Sequence, residues 1–272
     1  MYREADAGVV GGCDYLRVEW ANIVASSGQS VLRVARTQYG PVNPPPRVPS
    51  EHPVEDWSRW DTPGRTIYGC SSATGAFVEV LEYIRPDPPA TPLSDLFDDV
   101  EPDDAATFAA QVTKELPQHG AMPYRSISKG WREMRSLYEL QLPYSGWFVD
   151  VTGAESISVL SERLGSTLLA ECEIEQLTLS ELTSSSEDLK KLTTGIATWI
   201  RDRTVLFDGE RPHGIVYPSK WGTTLGDNYA MWLRRTDDGT GADPVTEIEP
   251  SSIGKHTKPF VDAARLRGMR IF

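Results

Sequence analysis

The stretch TIYGCSSATGAFVEV, residues 66–80, predicts a strand followed directly by a helix. Residues 66–70 have the β-branched and aromatic composition of a short strand, and a Ser/Thr/Gly turn follows them. The spacing then predicts a helix over 73–85, with an apolar face formed by Phe77, Val80, Leu81 and Ile84. Three side chains near its start are suited to cap it: Ser71, Ser72 and Thr74.

Glu79 is the one carboxylate within this stretch, and it lies between Val78 and Val80. On a helix it points away from the apolar face, so a solvated position on the polar face explains it. The alternative is a catalytic carboxylate that the helix presents to a cleft. Gly75 and Ala76 favour this alternative, because small residues would let an anionic phosphate approach the free N–H groups of the helix start.

The composition of the whole chain is that of a globular protein. Its 272 residues are 39% hydrophobic and include eight tryptophans, which argues against disorder. The formal net charge is −12 and the pI is about 4.9. This acidic balance disfavours broad binding to nucleic acids or to anionic membranes.

The cysteines and the apolar runs favour a cytoplasmic protein. Cys13, Cys70 and Cys172 are far apart and form no Cys-x-x-Cys pair, so neither a disulfide framework nor a structural zinc site is expected. Residues 1–6 carry acids where a signal peptide needs an apolar core. No apolar run approaches the roughly 18 residues of a membrane span.

The remaining pattern mixes helices and strands and predicts an α+β protein. Gly165 is a suitable stop for the second predicted helix. The predicted strands are 30–36, 146–153, 213–219 and 228–235, and the predicted helices are 154–165 and 186–203, with a helix and a closing strand in 258–272.

Residues 87–115 form an unusual acidic segment, with eight acids against the single base Lys114 and several prolines. We interpret it as a solvated surface insertion that ends in a helix at 104–116. A partner-binding arm is the alternative interpretation.

Several common catalytic motifs are absent. The chain has no Gly-x-Gly-x-x-Gly, and residues 251–257 (SSIGKHT) contain Gly-Lys without the rest of a P-loop. The four histidines show no metal-ligand spacing, so no metal site is expected. No Gly-x-Ser-x-Gly elbow is present, although a Ser-His-Asp triad assembled across the fold stays open.

The run RWDTPGRTIYGCSSATGAFVEVL, residues 59–81, resembles the core of the RES domain. The family pattern is an Arg followed by an aromatic residue, a turn, a strand carrying Tyr, and a helix with Ala-x-x-Glu. The matching positions are Arg59 with Trp60, then Tyr68, then Ala76 and Glu79.

Four further fragments resemble the family in the same order. VLRVAR matches the opening strand through Arg33, and WFVDVTG matches the apolar-Asp strand. HGIVYPSKWG matches the late strand that ends in Ser, here Ser219, and NYAMW matches the strand that begins with Asn, here Asn228. The interval from Glu79 to Ser219 is longer than in compact family members.

The resemblance implies an ADP-ribosyltransferase-like fold, which is a split antiparallel β core with flanking helices. We expect a single domain, 1–272, with a core at 30–235, an insertion at 87–145 and a C-terminal extension at 236–272. The resemblance also implies chemistry on NAD⁺ as a substrate. Family members are typically toxins of bacterial toxin–antitoxin pairs that deplete NAD⁺ by hydrolysis, or by phosphorolysis with inorganic phosphate, and a helical antitoxin restrains them.

The matched residue types suit that chemistry. Breaking the nicotinamide–ribose bond builds an oxocarbenium-like cation, which Glu79 would stabilise. Arg33 and Arg59 are candidates to hold the pyrophosphate, and each has a structural alternative: a strand-edge charge for Arg33, a pair with Asp56 or Asp61 for Arg59. Four further candidates have structural alternatives too: Tyr68 to stack on nicotinamide, Ser219 to bond the ribose or carboxamide, and Asn228 and Arg65 as secondary candidates.

Two other function classes stay open. An ADP-ribosyltransferase would modify a macromolecule with the same fold, but such enzymes often carry Glu or Gln two residues before the catalytic Glu, where this chain has Phe77. A binding module without catalysis is the third hypothesis, and tight NAD⁺ binding without turnover would favour it.

Overall fold

The computed structural model describes residues 16–17, 21–84, 91–100, 110, 115, 123–184 and 186–272. The helix expected at 104–116 lies almost entirely outside the described residues. Within the described ranges no helix is long and apolar enough to cross a membrane.

Strands and helices alternate along the described chain, which confirms an α+β protein. The strands are β1 Leu16–Arg17, β2 Ile23–Ala25, β3 Ser30–Arg36, β4 Thr66–Cys70, β5 Ser126–Ile127, β6 Arg135–Gln141, β7 Trp147–Asp150, β8 Thr204–Val205, β9 Gly214–Pro218, β10 Asp227–Trp232, β11 Thr246–Ser252 and β12 Arg270–Ile271. The helices are α1 Ala73–Leu81, α2 Lys129–Glu133, α3 Ala154–Leu164, α4 Leu179–Thr183, α5 Lys190–Arg203, α6 Arg234–Asp238 and α7 Lys258–Leu266.

An eight-stranded sheet in the order β11-β6-β3-β4-β10-β9-β7-β2 forms the centre of the fold. Neighbouring strands run antiparallel except β7 and β9, which pair in parallel from Phe148↔Gly214 to Asp150↔Val216. The expectation of a purely antiparallel core is therefore wrong at this pair. A parallel pair requires a long crossover between its strands, and α3 and α5 lie within the chain that connects β7 to β9.

The sheet opens between β3 and β4, which meet in register only at Leu32↔Cys70. A buried apolar cluster nevertheless joins the two sides of this opening, with Val31 and Leu140 from one side and Ile67 and Met231 from the other. The two halves of the sheet therefore pack against each other beyond the point where they stop sharing hydrogen bonds.

Two segments expected to be additions to the core contribute strands to this sheet. β6, within the segment 87–145, pairs with β3 along its whole length. β11, within the segment 236–272, pairs with β6 and forms one edge. Long-range pairing of this kind leaves little trace in the local sequence, because each strand carries only its own alternation pattern.

The helices cover the sheet with two further apolar clusters. α3 and α5 pack Leu160 and Ile196 against Ile215 and Trp232 of the sheet. In a separate cluster α1 packs against α7, and the Phe77 and Phe260 rings meet edge to face with centroids 5.4 Å apart. The helix that carries Glu79 is thus fixed by the sheet and by the C-terminal helix together.

The predicted element bounds hold for β3 and β4 and fail at several ends. α1 ends at Leu81 rather than at 85, and the strand expected at 228–235 ends at Trp232, where α6 soon follows. α3 ends at Leu164 with Gly165 as its C-cap, as predicted, but the Gly165 backbone stays right-handed (φ −56°, ψ −46°) and the chain continues as a π-helical turn. α5 begins at Lys190 after a 3₁₀ turn.

Candidate active site

The start of α1 is closed by the protein's own chain. Ser72 is the N-cap, and its Oγ accepts the Gly75 N–H at 3.0 Å and donates to the Leu225 carbonyl at 2.5 Å. A Cβ at Gly75 would lie 2.4 Å from the Leu225 oxygen and 2.5 Å from Cys70 Sγ. The interpretation that Gly75 opens the helix start to a phosphate is therefore wrong; the missing side chain lets α1 pack closely on the loop before β10.

This close packing brings Glu79 onto the sheet. Ser219 Oγ donates to Glu79 Oε1 at 2.7 Å, and Asn228 Nδ2 donates to the same oxygen at 2.9 Å. Both donors are only 4% exposed, while Glu79 is partly exposed. The carboxylate is therefore held by two buried neutral donors, and among the described residues no hydrogen bond reaches its other oxygen, Oε2.

The strand register places several candidates on one face of the sheet. Asn228 on β10 lies opposite Tyr217 on β9 and Cys70 on β4. Residues directly opposite each other share a face, as do alternate residues along a strand. Tyr68, two residues before Cys70, therefore shares the face of Tyr217 and Asn228.

Tyr68 is held by a buried carboxylate at its hydroxyl. Its OH donates to Asp61 Oδ1 at 2.7 Å, and Asp61 Oδ2 accepts from Arg47 Nε at 2.7 Å and from the Ser58 N–H at 2.9 Å. Burial, together with Asp61, raises the pKa of Tyr68 well above its usual value. The phenol is therefore neutral at ordinary pH, with its proton committed to Asp61.

Arg33 lies at the opening between β3 and β4. Its Nη1 donates to the Tyr68 carbonyl at 2.9 Å, and its Nε is buried without a partner among the described residues. Burial lowers the pKa of Arg33 to about 10, and Tyr68 and Asp61 oppose that shift. Arg33 thus joins the two sides of the sheet through a main-chain carbonyl rather than through an ion pair.

Arg59 turns toward α4 and Tyr217 rather than toward Asp56 or Asp61. Its Nη1 donates to the Thr183 and Ser184 carbonyls at 2.8 and 3.3 Å, and its guanidinium lies 4.9 Å from the centroid of the Tyr217 ring. Burial raises the pKa of Tyr217, Arg59 opposes that shift, and Glu79 adds to it. The Tyr217 hydroxyl is therefore influenced by the opposite charges of Arg59 and Glu79.

Glu82 and Tyr83, which directly follow α1, border the site. Glu82 pairs with Lys220, the residue next to Ser219, at 2.5 Å. Burial of its hydroxyl, then Glu82 and Glu79, raises the pKa of Tyr83, although 79% of the residue is exposed. The Tyr83 ring is therefore accessible to a ligand beside Glu79.

The structure brings Glu79, Ser219 and Asn228 into direct contact and places Tyr68 with Arg33 in a second contact group. Arg59 reaches the site through Tyr217. Arg65 lies elsewhere, because its Nη1 pairs with Asp237 at 2.7 Å.

Sequence reasoning missed Asp61 as the anchor of Tyr68, and it missed Tyr217, Tyr83 and Lys220. The signal for Tyr217 was its position two residues before Ser219, which places it on the same side of an extended chain. Among the described residues no group of three or more His, Cys, Asp or Glu could hold a metal ion.

Comparison with known proteins adds a distant structural likeness. No protein-family model matches the chain, and no curated protein matches its sequence. A solved structure, the crystal structure of the M. tuberculosis MbcT–MbcA toxin–antitoxin complex, contains a chain that is 12% identical. The match covers 90% of this chain and 92% of that one, with a TM-score of 0.42.

Proposed function

We propose that this protein is an enzyme that cleaves the nicotinamide–ribose bond of NAD⁺, with water or inorganic phosphate as the acceptor. The observation that carries the proposal is the Glu79 carboxylate, which Ser219 and Asn228 hold by one oxygen while Oε2 has no partner among the described residues. Because both donors are neutral, they orient the carboxylate without supplying a counter-charge, and a cation that develops beside it can fill that role.

The proposed chemistry follows from that arrangement. As nicotinamide leaves, positive charge develops on the ribose, and Glu79 Oε2 would stabilise it without moving. Ser219 and Asn228 orient the carboxylate, and their own hydrogen bonds to Oε1 are already made. The ring of Tyr68, rather than its committed hydroxyl, would pack against nicotinamide.

The two nearby arginines would bind the pyrophosphate. Arg33 and Arg59 each donate to main-chain carbonyls and have no ion-pair partner among the described residues. Their charges are therefore not neutralised within the described protein, and a diphosphate would supply the missing negative charge. On the sequence resemblance alone, we extend the proposal to a bacterial toxin with a cognate antitoxin protein.

The test is NAD⁺ consumption by the purified chain, with and without inorganic phosphate, and with the products separated by chromatography. We expect release of nicotinamide, and Glu79→Gln should lower the rate by about 10²–10⁴-fold. Glu162→Gln is the matched control, because Glu162 is exposed on α3 and the same change there should leave the rate unaltered. A Glu79→Gln protein that folds and consumes NAD⁺ at the wild-type rate would refute the assigned role.

The acceptor is decided by the same experiment. A requirement for phosphate would make the protein a phosphorylase, and turnover without phosphate would make it a hydrolase. Label from NAD⁺ that stays on a macromolecule would favour an ADP-ribosyltransferase instead. Phe77, two residues before Glu79, is fully buried against Phe260, so it presents no polar group to such an acceptor.

A further inference from the structure

A cavity of about 140 Å³ lies between α1, the loop that follows Ser219, and the C-terminal end of α7. Its lining is mostly apolar, with one hydroxyl, one indole and one guanidinium: Val78, Trp221, Thr224, Leu225, Leu266 and Arg267. A cavity of about 150 Å³ holds one benzene ring in another protein, so this volume suits a single six-membered ring.

Arg267 is the charged group of this cavity. Its guanidinium lies 3.7 Å from the centroid of the Trp221 ring, and its Nε is buried without a hydrogen-bond partner in the described part of the chain. Within the described chain no carboxylate pairs with it. Lys220, whose ammonium lies 5.1 Å from the same indole centroid, pairs with Glu82.

This contrast indicates the charge of the missing partner. In a protein with a net charge of −12, a partly buried guanidinium held against an indole has no carboxylate partner among the residues that the structure describes, whereas its neighbour Lys220 has one. A guanidinium binds carboxylates through two parallel hydrogen bonds, and the walls formed by Val78, Leu225 and Leu266 favour an apolar ring over water.

We propose that this cavity binds a single-ring aromatic carboxylate, with the carboxylate on Arg267 and the ring against Trp221 and the apolar walls. The site differs from the Glu79 site, and a hydrogen bond links the two. The main-chain N–H of Trp221 donates to Ser219 Oγ at 3.3 Å, and Ser219 in turn donates to Glu79. A ligand that shifts the main chain at Trp221 would therefore move the donor that orients Glu79.

The binding experiment is a ¹⁹F NMR titration of the full chain with 4-fluorobenzoate. A ligand of this size should bind with a dissociation constant on the order of 1 mM. Arg267→Gln should weaken binding by about tenfold or more, since a charge-assisted hydrogen bond is lost. Arg265→Gln is the matched control: Arg265 is in the last turn of the same helix and 79% exposed, and it should bind as wild type does.

Two further arms separate recognition of the anion from nonspecific apolar binding. The neutral 4-fluorobenzyl alcohol should bind about tenfold more weakly than the carboxylate. Trp221→Leu keeps Arg267 and removes the indole, so it should also weaken binding, with thermal melts to verify that each variant folds. No binding at about 10 mM, equal binding to Arg267→Gln, or equal binding of the alcohol would each overturn the proposal.

The link to Ser219 is tested by NAD⁺ cleavage, and this arm rests on the proposed function. Saturating 4-fluorobenzoate should change kcat/KM at least about twofold in wild type and leave Arg267→Gln unchanged. An unchanged rate with the ligand bound would overturn the link. If the protein cleaves no NAD⁺ at all, the NMR titration still decides whether the site exists.

Discussion

Two groups of buried or partly buried charged residues satisfy their charges in different ways. The first, here called the paired cluster, joins the turn before β4 to α5 and α6 and pairs two arginines with three aspartates: Arg65, Arg201, Asp202, Asp237 and Asp238. Asp237 is central to it, since it accepts from Arg65 Nη1 at 2.7 Å and lies 3.8 Å from Arg201 Nη2.

The second group, the Glu79 site, keeps opposite charges apart. Glu79 is held by the neutral donors Ser219 and Asn228, and Arg33 and Arg59 donate to main-chain carbonyls. Among the described residues none of these three charges has an ion-pair partner.

This difference in charge pairing indicates where a ligand is needed. Charges removed from water are stable when they are paired and hydrogen-bonded, and the paired cluster achieves this within the protein. Charges that a fold holds in place without neutralising them are typical of functional sites. NAD⁺ carries both a cationic ring and an anionic diphosphate, so it is complementary to the carboxylate and to the arginines at once.

Breaking the paired cluster should cost stability and spare the chemistry. Asp237→Ala leaves Arg65 and Arg201 without their shared partner, and we expect the free energy of unfolding to fall by about 3 kcal/mol. The folded fraction should cleave NAD⁺ normally. Urea unfolding, followed by rates measured well below the transition, checks both expectations.

Asp238→Ala is the control, because Asp238 pairs with the same Arg201 from the adjacent position but is 51% exposed. Exposed pairs contribute roughly 0–1 kcal/mol, so this variant should stay near wild type. Equal losses in the two variants would mean that burial does not distinguish these carboxylates, and the comparison would fail.

Breaking the Glu79 site should lower the rate of NAD⁺ cleavage and cost little stability. Ser219→Ala and Asn228→Ala each remove one donor to Glu79 Oε1. We expect each to lower kcat/KM by about 10–100-fold, with a loss of stability of about 1–2 kcal/mol or less.

The double variant sharpens this expectation. Because both donors orient one oxygen, losing either should already misalign the carboxylate, so the double variant should lose less than the product of the single losses. Independent, multiplicative losses would show instead that the two residues act separately, for example on different parts of the substrate.

The sequence was sufficient where structure is decided locally. The alternating pattern and the turn after it predicted β3, β4 and the start of α1, because strand composition and helix capping depend on near neighbours. The sequence did not predict that the chain continues as a π-helical turn from Gly165, a residue typical of helix stops that here keeps a right-handed backbone. The sequence could not predict the pairing of β6 and β11, since partners far apart in the chain share no local signal.

For the candidate site, too, the sequence predicted individual residues but not the contacts between them. Glu79, Ser219 and Asn228 were found one by one, but their common oxygen emerges only from the packing of α1 on the sheet. A pair with Asp56 or Asp61 was the structural alternative for Arg59, but Asp61 does not make it. It bonds Arg47 and Tyr68 instead, because the Arg59 side chain turns to α4 and Tyr217.

The smallest expected effect lies at the edge of the paired cluster, at His213. Its Nε2 lies 3.0 Å from the Ser145 carbonyl. Burial lowers the pKa of His213 and the positive charge of Arg234 adds to this, while the Ser145 carbonyl and Glu210 oppose it. A second cation beside Arg234 is therefore disfavoured in the folded state.

The direction of the pH effect follows from this shift. Since the folded pKa lies below the unfolded value near 6.5, the unfolded chain binds a proton that the folded chain refuses. This stability is present above pH 6.5 and is lost as the pH falls through 6.5 toward the folded pKa. His213→Gln should reduce the loss of unfolding free energy between about pH 7.5 and pH 5.5, measured by urea unfolding, whereas exposed His256→Gln should not. An unaltered pH dependence in His213→Gln would place the acid sensitivity of folding in groups other than His213.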